Sequence, residues 1–324
     1  MSTDADAADG NALRVAPPVT SRLTAAEIYA AAVRIGEDEL KRSSTGLALS
    51  GLAAGLGMGL TGLGSAAILA DVGDRVAHHL LGALLYPLGF IVVIVGRAQL
   101  FTENTLFPVI LVLDRRRHLR NTLRLWAVVF VANVVGALLF AVLMIKCGAV
   151  SPEVARALSQ LGSQTVQGSF GHLFWSGVAG GWIIALMAWL VTASRFTIGQ
   201  IVLIYLMTFA VGAAGLAHCI AGSTEALSAV LAGQVPMGTF AKWLLAATVG
   251  NTMGGVIIVS LLNYGQVVGS GQDLHRADRS LADIEADLAN TSPARMRRQR
   301  RTPQRQRGNG PQTAAEDWRA RLDD

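Results

Sequence analysis

The feature that most constrains this chain is a series of six apolar stretches, each long enough to cross the hydrocarbon core of a bilayer as a helix of roughly 17 to 25 residues. Of its 324 residues, 52% are hydrophobic and only 15% are charged, which is outside the usual range of soluble domains. We therefore predict an all-α membrane protein with six transmembrane helices. The stretches lie at residues 45–70, 80–112, 122–147, 170–193, 198–222 and 239–263.

The second and fifth stretches contain sequences that an uninterrupted membrane helix rarely carries. The second is too long for one simple crossing and includes Arg97 and Glu103, while the fifth has a Gly-rich segment that leads to His218. Interrupted helices at matching positions of two half-chains are typical of inverted-repeat transporters, whose substrate site lies where the breaks meet. Irregular backbone at that depth requires protein or a water-filled cavity to satisfy its polar groups. The sequence thus predicts a pore or substrate site where residues 96–104 meet residues 212–218.

Lys and Arg are unevenly distributed among the segments that connect the stretches. They are frequent before the first stretch, between the second and third, and after the sixth, whereas the alternate connections contain few. An excess of Lys and Arg marks the cytoplasmic side of a membrane protein. We predict a multi-pass protein of a cell inner (plasma) membrane with both termini cytoplasmic, as an even number of spans requires.

The composition also divides the chain into segments. Thr24 and Glu27 have the spacing of a helix capping box and precede an amphipathic sequence. The Arg-rich end of the chain can form no packed core; it is either a plain solvated tail or a contact for anionic lipid headgroups, and no nucleic-acid partner is expected. The predicted segments are a disordered segment at 1–23, an amphipathic cytoplasmic helix at 24–43, a six-span channel domain at 44–264 and a largely disordered cytoplasmic tail at 265–324.

Four short motifs occur in order within the apolar stretches. They are Tyr-Pro-Leu-Gly-Phe at 86–90, Leu-Phe-Thr at 100–102, Ala-His-x-Ile-Ala at 217–221 and Gly-Asn-Thr-Met-Gly-Gly at 250–255. Together they resemble the formate/nitrite transporter family, and the resemblance runs over residues 27–264. It implies an aquaporin-like hourglass pore in each protomer of a homopentamer, with a small monovalent anion or its conjugate weak acid as the permeant and with no cofactor.

The resemblance also implies roles for residues in both breaks. By position, His218 is the central histidine of the pore and Thr102 is the threonine of the re-entrant loop. Without the resemblance, His218 is either a transport residue or a buried histidine bonded to backbone, and the cost of ionisable groups inside a membrane favours function. The Thr102 hydroxyl bonds either His218 or the permeant, or else only a freed carbonyl of the broken helix. The residues implied for two apolar constrictions are Tyr86, Phe90, Phe101 and Val211.

The chemistry of the permeant points to a role for His218 in proton transfer. A bare carboxylate is costly to move into a low-dielectric slit and tends to take up a proton instead. Histidine is the side chain whose unperturbed pKa lies near neutrality. We therefore predict that the permeant passes as its protonated acid and that transport is proton-coupled through His218.

The chain departs from the family at several positions. Family members carry an Asn in the fourth span and a Lys before it, and here those positions hold Gly181 and Thr165. Arg97 either replaces the lost positive charge at the pore or pairs with Glu103, since a lone membrane Arg seeks a partner. Glu225 is predicted to lie at an outward-facing, solvated end of the fifth span.

Other residues of the stretches are given structural roles. Cys147 and Cys219 are predicted as small buried residues, the usual environment of free cysteine. Asn133 and Asn251 are predicted to bond neighbouring backbone rather than substrate. A stripe of small residues lets another helix approach closely, either within a protomer or between protomers; it consists of Gly51, Gly55 and Gly59.

These observations favour a channel or transporter over other classes of protein. Because the family's Lys and Asn are missing, a neutral or cationic small solute is an alternative permeant. A membrane-integral enzyme is less favoured, since no span contains clustered His, Asp and Glu ligands or a Ser with a His and an acidic partner. A non-transporting scaffold that uses the Arg-rich tail is a further alternative.

Overall fold

The computed structural model describes residues 22–72, 78–114, 118–269, 278–279 and 282, and the regular structure within them is helical throughout. The predicted disordered segment at 1–23 and most of the tail predicted at 265–324 lie outside these residues. In order, the helices are α1 (Ala25–Lys41), α2 (Ser44–Val72), α3 (His78–Ala83), α4 (Pro87–Val95), α5 (Phe107–Asp114), α6 (Leu119–Ile145), α7 (Pro152–Thr165), α8 (Phe170–Ala193), α9 (Thr197–Ala213), α10 (Ala221–Leu231), α11 (Met237–Met253) and α12 (Leu262–Gly269).

Within the described part of the chain, four helices are long and apolar enough to cross a membrane. Many large apolar side chains on these helices face outward, including Leu49, Val131 and Trp175. An apolar exterior of this kind suits contact with lipid. The predicted all-helical membrane class is confirmed. The four helices span Ser44–Asp71, Leu119–Ile145, Phe170–Ala193 and Met237–Val267.

Helix α1 lies against the end of the bundle, not within it. It begins at the predicted capping box, in which the Glu27 carboxylate accepts from the Thr24 backbone N–H at 2.7 Å and the Thr24 hydroxyl accepts from the Glu27 N–H at 3.3 Å. Its apolar face packs on α5. At Gly36 the contact is so close that a Cβ would meet the Phe107 carbonyl oxygen at 2.7 Å.

The small-residue stripe of α2 faces α6 of the same chain. A Cβ on Gly51 would meet the Ala132 side chain at 2.9 Å. A Cβ on Gly55 would overlap the backbone of Asn133, and one on Gly59 would overlap the Phe140 ring. The stripe therefore packs within the protomer, one of the two alternatives that the sequence left open.

Helices α8 and α11 repeat this close packing in the second half of the chain. A Cβ on Gly181 would overlap the backbone of Asn251, and one on Gly254 would overlap the carbonyl of Val178. The chain continues beyond α11 through a π-helical stretch, Gly254–Leu261. Here Thr105 fits against Gly255, and the Ser260 hydroxyl donates to the Thr105 carbonyl at 3.1 Å.

The fifth apolar stretch was predicted to end at residue 222, but the buried helix α10 continues to Leu231. Residues 221–229 of α10 are all buried. Its hydroxyl side chains lowered the apparent hydropathy, yet they donate to carbonyls of the preceding turn: Ser223 to Cys219 at 2.5 Å and Thr224 to Ala221 at 2.7 Å. Such bonds allow polar residues to occupy a buried helix.

The two cysteines differ in environment. Cys219 is fully buried, as predicted, whereas Cys147 is exposed. The prediction for Cys147 was wrong because α6 ends at Ile145 and the residues after Lys146 turn away from the helix packing.

Candidate functional site

Two non-helical segments lie at the centre of the site, one after α4 and one after α9. The first runs from residue 96 to 102 and the second from 214 to 220. Each turns shortly after its helix through a residue with positive φ, which is 58° at Arg97 and 61° at Gly215. Because both segments leave the helical hydrogen-bond pattern, their backbone groups need other partners.

Asn133 on α6 supplies those partners in the first segment. Its side-chain oxygen accepts from the Phe101 N–H at 2.9 Å, and its amide group donates to the carbonyls of Gly51 and Gln99 at 2.7 and 2.9 Å. The Ser50 hydroxyl accepts from the Gln99 N–H at 3.1 Å. One side chain therefore joins α2, α6 and the first non-helical segment.

Asn251 on α11 does the same for the second segment. Its oxygen accepts from the Cys219 N–H at 2.8 Å, and its amide group donates to the carbonyls of Gly177 and Ala217, each at 2.8 Å. The Ser176 hydroxyl accepts from the Ala217 N–H at 2.9 Å. The prediction that both asparagines bond neighbouring backbone is confirmed.

His218 and Thr102 connect the two segments directly. His218 is 1% exposed, and its Nδ1 accepts from the Ala221 N–H at 3.0 Å. The neutral ring therefore carries its proton on Nε2, which lies 2.8 Å from the Thr102 hydroxyl oxygen and donates to it. The hydroxyl hydrogen of Thr102 is then free to meet a third group.

Aromatic rings extend from His218 along one side of this contact. The Phe90 ring stands edge-on to the His218 ring with centroids 5.0 Å apart, and Tyr86 lies 5.6 Å from Phe90. Val211 is fully buried in the same apolar core.

Phe101 belongs to this core as well, but its ring contacts point elsewhere. The ring packs against Trp126 and Phe130, with centroids 5.9 and 5.1 Å apart. The structure thus connects Tyr86, Phe90, His218 and Thr102 in one series of contacts and places Phe101 beside them.

A cavity of about 270 Å³ reaches His218 from one side. Tyr86 and Val211 line it together with His218. Among the described residues that line it there is no Lys or Arg. Its other polar side chains are Ser65, Gln164, Thr165, Gln167, His172, Ser176 and Glu225.

Glu225 is a member of this site that the sequence analysis misplaced. It is 7% exposed, not solvated at the end of a span, and its carboxylate accepts a hydrogen bond from the Thr165 hydroxyl at 2.7 Å. Sequence spacing offers no signal for this, because His218 lies in the non-helical segment before α10 begins at Ala221.

Arg97 lies away from the cavity. Arg97 is exposed and is not among the residues that line the cavity. Within the described chain, no ion pair within 4.0 Å joins it to the half-buried Glu103. The pairing that the sequence allowed is therefore not formed.

Comparison with known proteins agrees with this arrangement. Residues 26–265 match the family described as formate/nitrite transporter. The Inner membrane protein YfdC of Escherichia coli (strain K12) is 32% identical over 235 residues, which are 72% of this chain and 75% of that protein. A probable formate transporter of Methanothermobacter thermautotrophicus is 28% identical over 197 residues, 56% of this chain and 72% of that protein.

Two solved structures share the fold at low identity. An FNT family ion channel superposes with a TM-score of 0.63 and 20% identity, covering 75% of this chain and 96% of its own. A pentameric formate channel with formate bound gives a TM-score of 0.61 and 18% identity, covering 70% and 99%. The chain belongs to the formate/nitrite transporter family and is a membrane transport protein, not an enzyme.

Proposed function

We propose that this chain conducts a small monovalent anion such as formate or nitrite across an inner (plasma) membrane, and that the anion passes as its conjugate weak acid. The observation that carries the proposal is the 2.8 Å contact between Thr102 and His218. It joins the ring of His218, which lines a cavity, to a hydroxyl whose hydrogen is free. When a carboxylic or nitrous acid leaves water, it loses hydrogen bonds from water, and a hydroxyl and an imidazole N–H are donors that can replace them.

The architecture proposed for this path has six spans in two inverted repeats around an hourglass pore. Four spans are the long helices, and the other two are α3 and α4 with α5, and α9 with α10. The repeat is supported by the paired asparagines: Asn133 holds Phe101 and Gln99 as Asn251 holds Cys219 and Ala217. The two asparagines are 118 residues apart in the sequence. Phe101 and Cys219 are separated by the same 118 residues, and so are Gln99 and Ala217.

The proposed constrictions flank His218. Tyr86, Phe90 and Val211 would narrow the path on the cavity side, and Phe101 would narrow it beyond Thr102. Between them, His218 takes up a proton from cavity water at Nδ1, which breaks the hydrogen bond from the Ala221 N–H, and gives its Nε2 proton to the anion. The acid forms as the ring becomes neutral, and movement of the remaining proton from Nδ1 to Nε2 through water restores that bond. One proton then accompanies each anion, which would make transport proton-coupled.

The assembly and location follow the relatives. Because one structural neighbour is a pentameric channel and one relative is an inner membrane protein, we propose a homopentamer in the inner membrane, with one path in each protomer and both termini in the cytoplasm. The bilayer would then surround the outward-facing apolar side chains.

The proposal predicts how uptake into proteoliposomes depends on pH. Initial rates for formate, nitrite, acetate and hydrosulfide are measured at external pH from about 5 to 8, the range in which histidine changes charge. We expect His218→Asn to abolish or reshape the pH dependence without preventing assembly, and His218→Phe to close the path. His118→Asn, at the N-terminal end of α6, is the matched control and should keep the wild-type profile.

Two outcomes would contradict the proposal. If His218→Asn and the wild type have indistinguishable pH profiles, His218 is a structural histidine and the proton comes from bulk water. If the wild type passes the neutral solute formamide but none of the anions, the permeant is a neutral solute. That alternative is favoured by the absence of Lys and Arg among the described residues that line the cavity.

A further inference from the structure

The cavity that leads to His218 has an unusual charge for a path taken by anions. Its lining contains the carboxyl of Glu225, and the other titratable groups that face it are Tyr86, His172 and His218. No Lys or Arg side chain lines it among the described residues. When Glu225 is ionised, nothing in the lining except a charged histidine offsets its charge.

Glu225 is held rigidly in this position. The Thr165 hydroxyl on α7 donates to Oε2 at 2.7 Å. On the α2 side, a Cβ on Gly62 would approach the Glu225 Cγ to 3.0 Å. Helices α2, α7 and α10 therefore confine the side chain, and no ion pair neutralises it within the part of the chain that is described.

The second carboxylate oxygen is open to the cavity. Oε1 has no hydrogen-bond partner in the described structure, yet it is not among the buried atoms that lack a partner. Since Glu225 lines the cavity, water and solutes reach this oxygen from there. A charge at the wall of a narrow cavity acts on whatever enters, because low-dielectric walls focus its field.

We propose that Glu225 is an anion-excluding filter: while ionised, it lowers the concentration of free anions in the cavity, so that much of the permeant reaches His218 from this side already as the neutral acid and fewer anions arrive to be protonated there. This deepens the proposed function and rests on it. The proposal also gives a physical effect to the Thr at position 165, where family members carry a Lys. The hydroxyl at Thr165 fixes the carboxylate but, unlike an ammonium group, leaves its charge in place.

The first test measures the charge of the cavity without any transport. Gln167 lines the cavity and is exposed, so a Gln167→Cys variant on a Cys147→Ser background carries one reachable thiol, the other cysteine being fully buried. The thiol is reacted at pH 7.5 with an anionic and with a cationic methanethiosulfonate of similar size. Adding Glu225→Gln, which preserves size and the bond from Thr165, should raise the rate ratio of anionic to cationic reagent by about tenfold.

Glu153 provides the charge control. It lies on α7 outside the cavity lining, and the pKa of its carboxyl is below the usual value because its own backbone N–H and the Ser151 hydroxyl bond to it. It is therefore ionised at pH 7.5. Glu153→Gln should leave the ratio within a factor of about two, as expected for a screened surface charge, and Glu225→Asp should keep the wild-type ratio. An unchanged ratio in Glu225→Gln overturns the proposal.

The second test compares formate with the neutral solute formamide in proteoliposomes. Glu225→Gln should increase formate entry at pH 7.5 by about tenfold relative to formamide entry. A lower formate rate in Glu225→Gln would overturn the proposal and would indicate that the carboxyl supplies protons instead. If Glu225→Gln alters the thiol ratio while neither wild type nor variant passes formate, the filter stands and the proposed function fails.

Discussion

At Arg97 the first break carries a long side chain in a backbone conformation that suits glycine. Its φ of 58° matches the 61° of Gly215 at the corresponding point of the second break. For a residue with a Cβ, the left-handed region costs roughly 1–2 kcal/mol. Arg97 is exposed, and in the described structure no ion pair within 4.0 Å joins it to Glu103, so no salt bridge offsets that cost. A residue kept at such a cost points to a use for its charge.

Two substitutions at Arg97 separate the effect of backbone strain from the effect of the side-chain charge. Arg97→Gly should stabilise the folded protein by about 1 kcal/mol, because glycine adopts positive φ without penalty, and should raise its melting temperature in detergent by roughly 2–4 °C. Arg97→Gln keeps the strain and should show no such gain. If the charge serves the permeant, both variants should lower anion flux per folded protein. A melting temperature for Arg97→Gly at or below that of Arg97→Gln would contradict the strain argument.

At the residue level, the motifs named side chains that the structure brings together, whereas composition alone misplaced Glu225. His218 and Thr102 stand in motifs of the family, and the asparagines were recognisable because an amide inside a span must bond something. Glu225 was misplaced because an acidic residue near the end of an apolar stretch usually meets water. Its burial depends on Thr165, whose hydroxyl comes from another helix 60 residues away.

Among the elements, α2 and α6 form one of the closest contacts, where backbone meets backbone. A methyl group on Gly55 has no room because its neighbour is the main chain of Asn133, which also holds the first break. The same relation recurs between Gly181 on α8 and Asn251 on α11. Forcing helices apart at these points therefore disturbs the site as well as the packing.

We expect Gly55→Ala and Gly181→Ala each to destabilise the protein by at least 1–3 kcal/mol, the usual cost of overpacking, and to reduce the yield of assembled protein. Gly171→Ala on α8 is the matched control, because its Cβ would meet nothing within 4 Å. The measurement is the fraction of soluble oligomer left after heating, followed by size-exclusion chromatography. Equal heat resistance of Gly55→Ala and Gly171→Ala would show that α2 and α6 can move apart enough to accept a methyl group at residue 55.

Hydropathy predicts the long helices and loses the short ones. The predicted stretches 45–70 and 170–193 match α2 and α8 to within two residues. Helix α10 was cut short because Ser, Thr and Glu make it look polar, although hydrogen bonds satisfy its Ser and Thr hydroxyls and one oxygen of Glu225. Whether a polar side chain is satisfied is a property of the fold, and sequence periodicity does not contain it.

At the scale of the whole molecule, the charges at the two breaks differ in sign. Arg97 follows α4 and is exposed, and Glu225 lies in α10 on the cavity beside the second break. In an inverted repeat, corresponding positions of the two halves lie on opposite sides of the membrane. An anion would therefore meet a positive residue when it approaches from one side and a carboxyl when it approaches from the other.

The side of the membrane to which the cavity opens depends on the topology of the chain. Thr165, the last residue of α7, and Gln167, just after it, line the cavity and belong to the connection between α6 and α8. That connection is poor in Lys and Arg, whereas the one before α6 contains Arg115, Arg116, Arg117 and Arg120. From the bias of basic residues toward the cytoplasm, we expect the cavity to open outward. Glu225 would then filter uptake, and Arg97 would face the cytoplasm.

Reporter fusions test this orientation. Fusions after Arg120 and after Asp324 should be active as cytoplasmic reporters, and a fusion after Arg156 on α7 should be active as an external one, each position being read with one reporter that works only inside and one that works only outside. A cytoplasmic result at Arg156 would break the six-span arrangement. It would also turn the cavity toward the cytoplasm, so that Glu225 would filter release and the approach past Arg97 would face outward. Because the thiol of a Gln167→Cys variant lies in this cavity, its labelling by an impermeant reagent in intact cells should agree with the reporters, and disagreement between the two would show that the fusions had altered insertion.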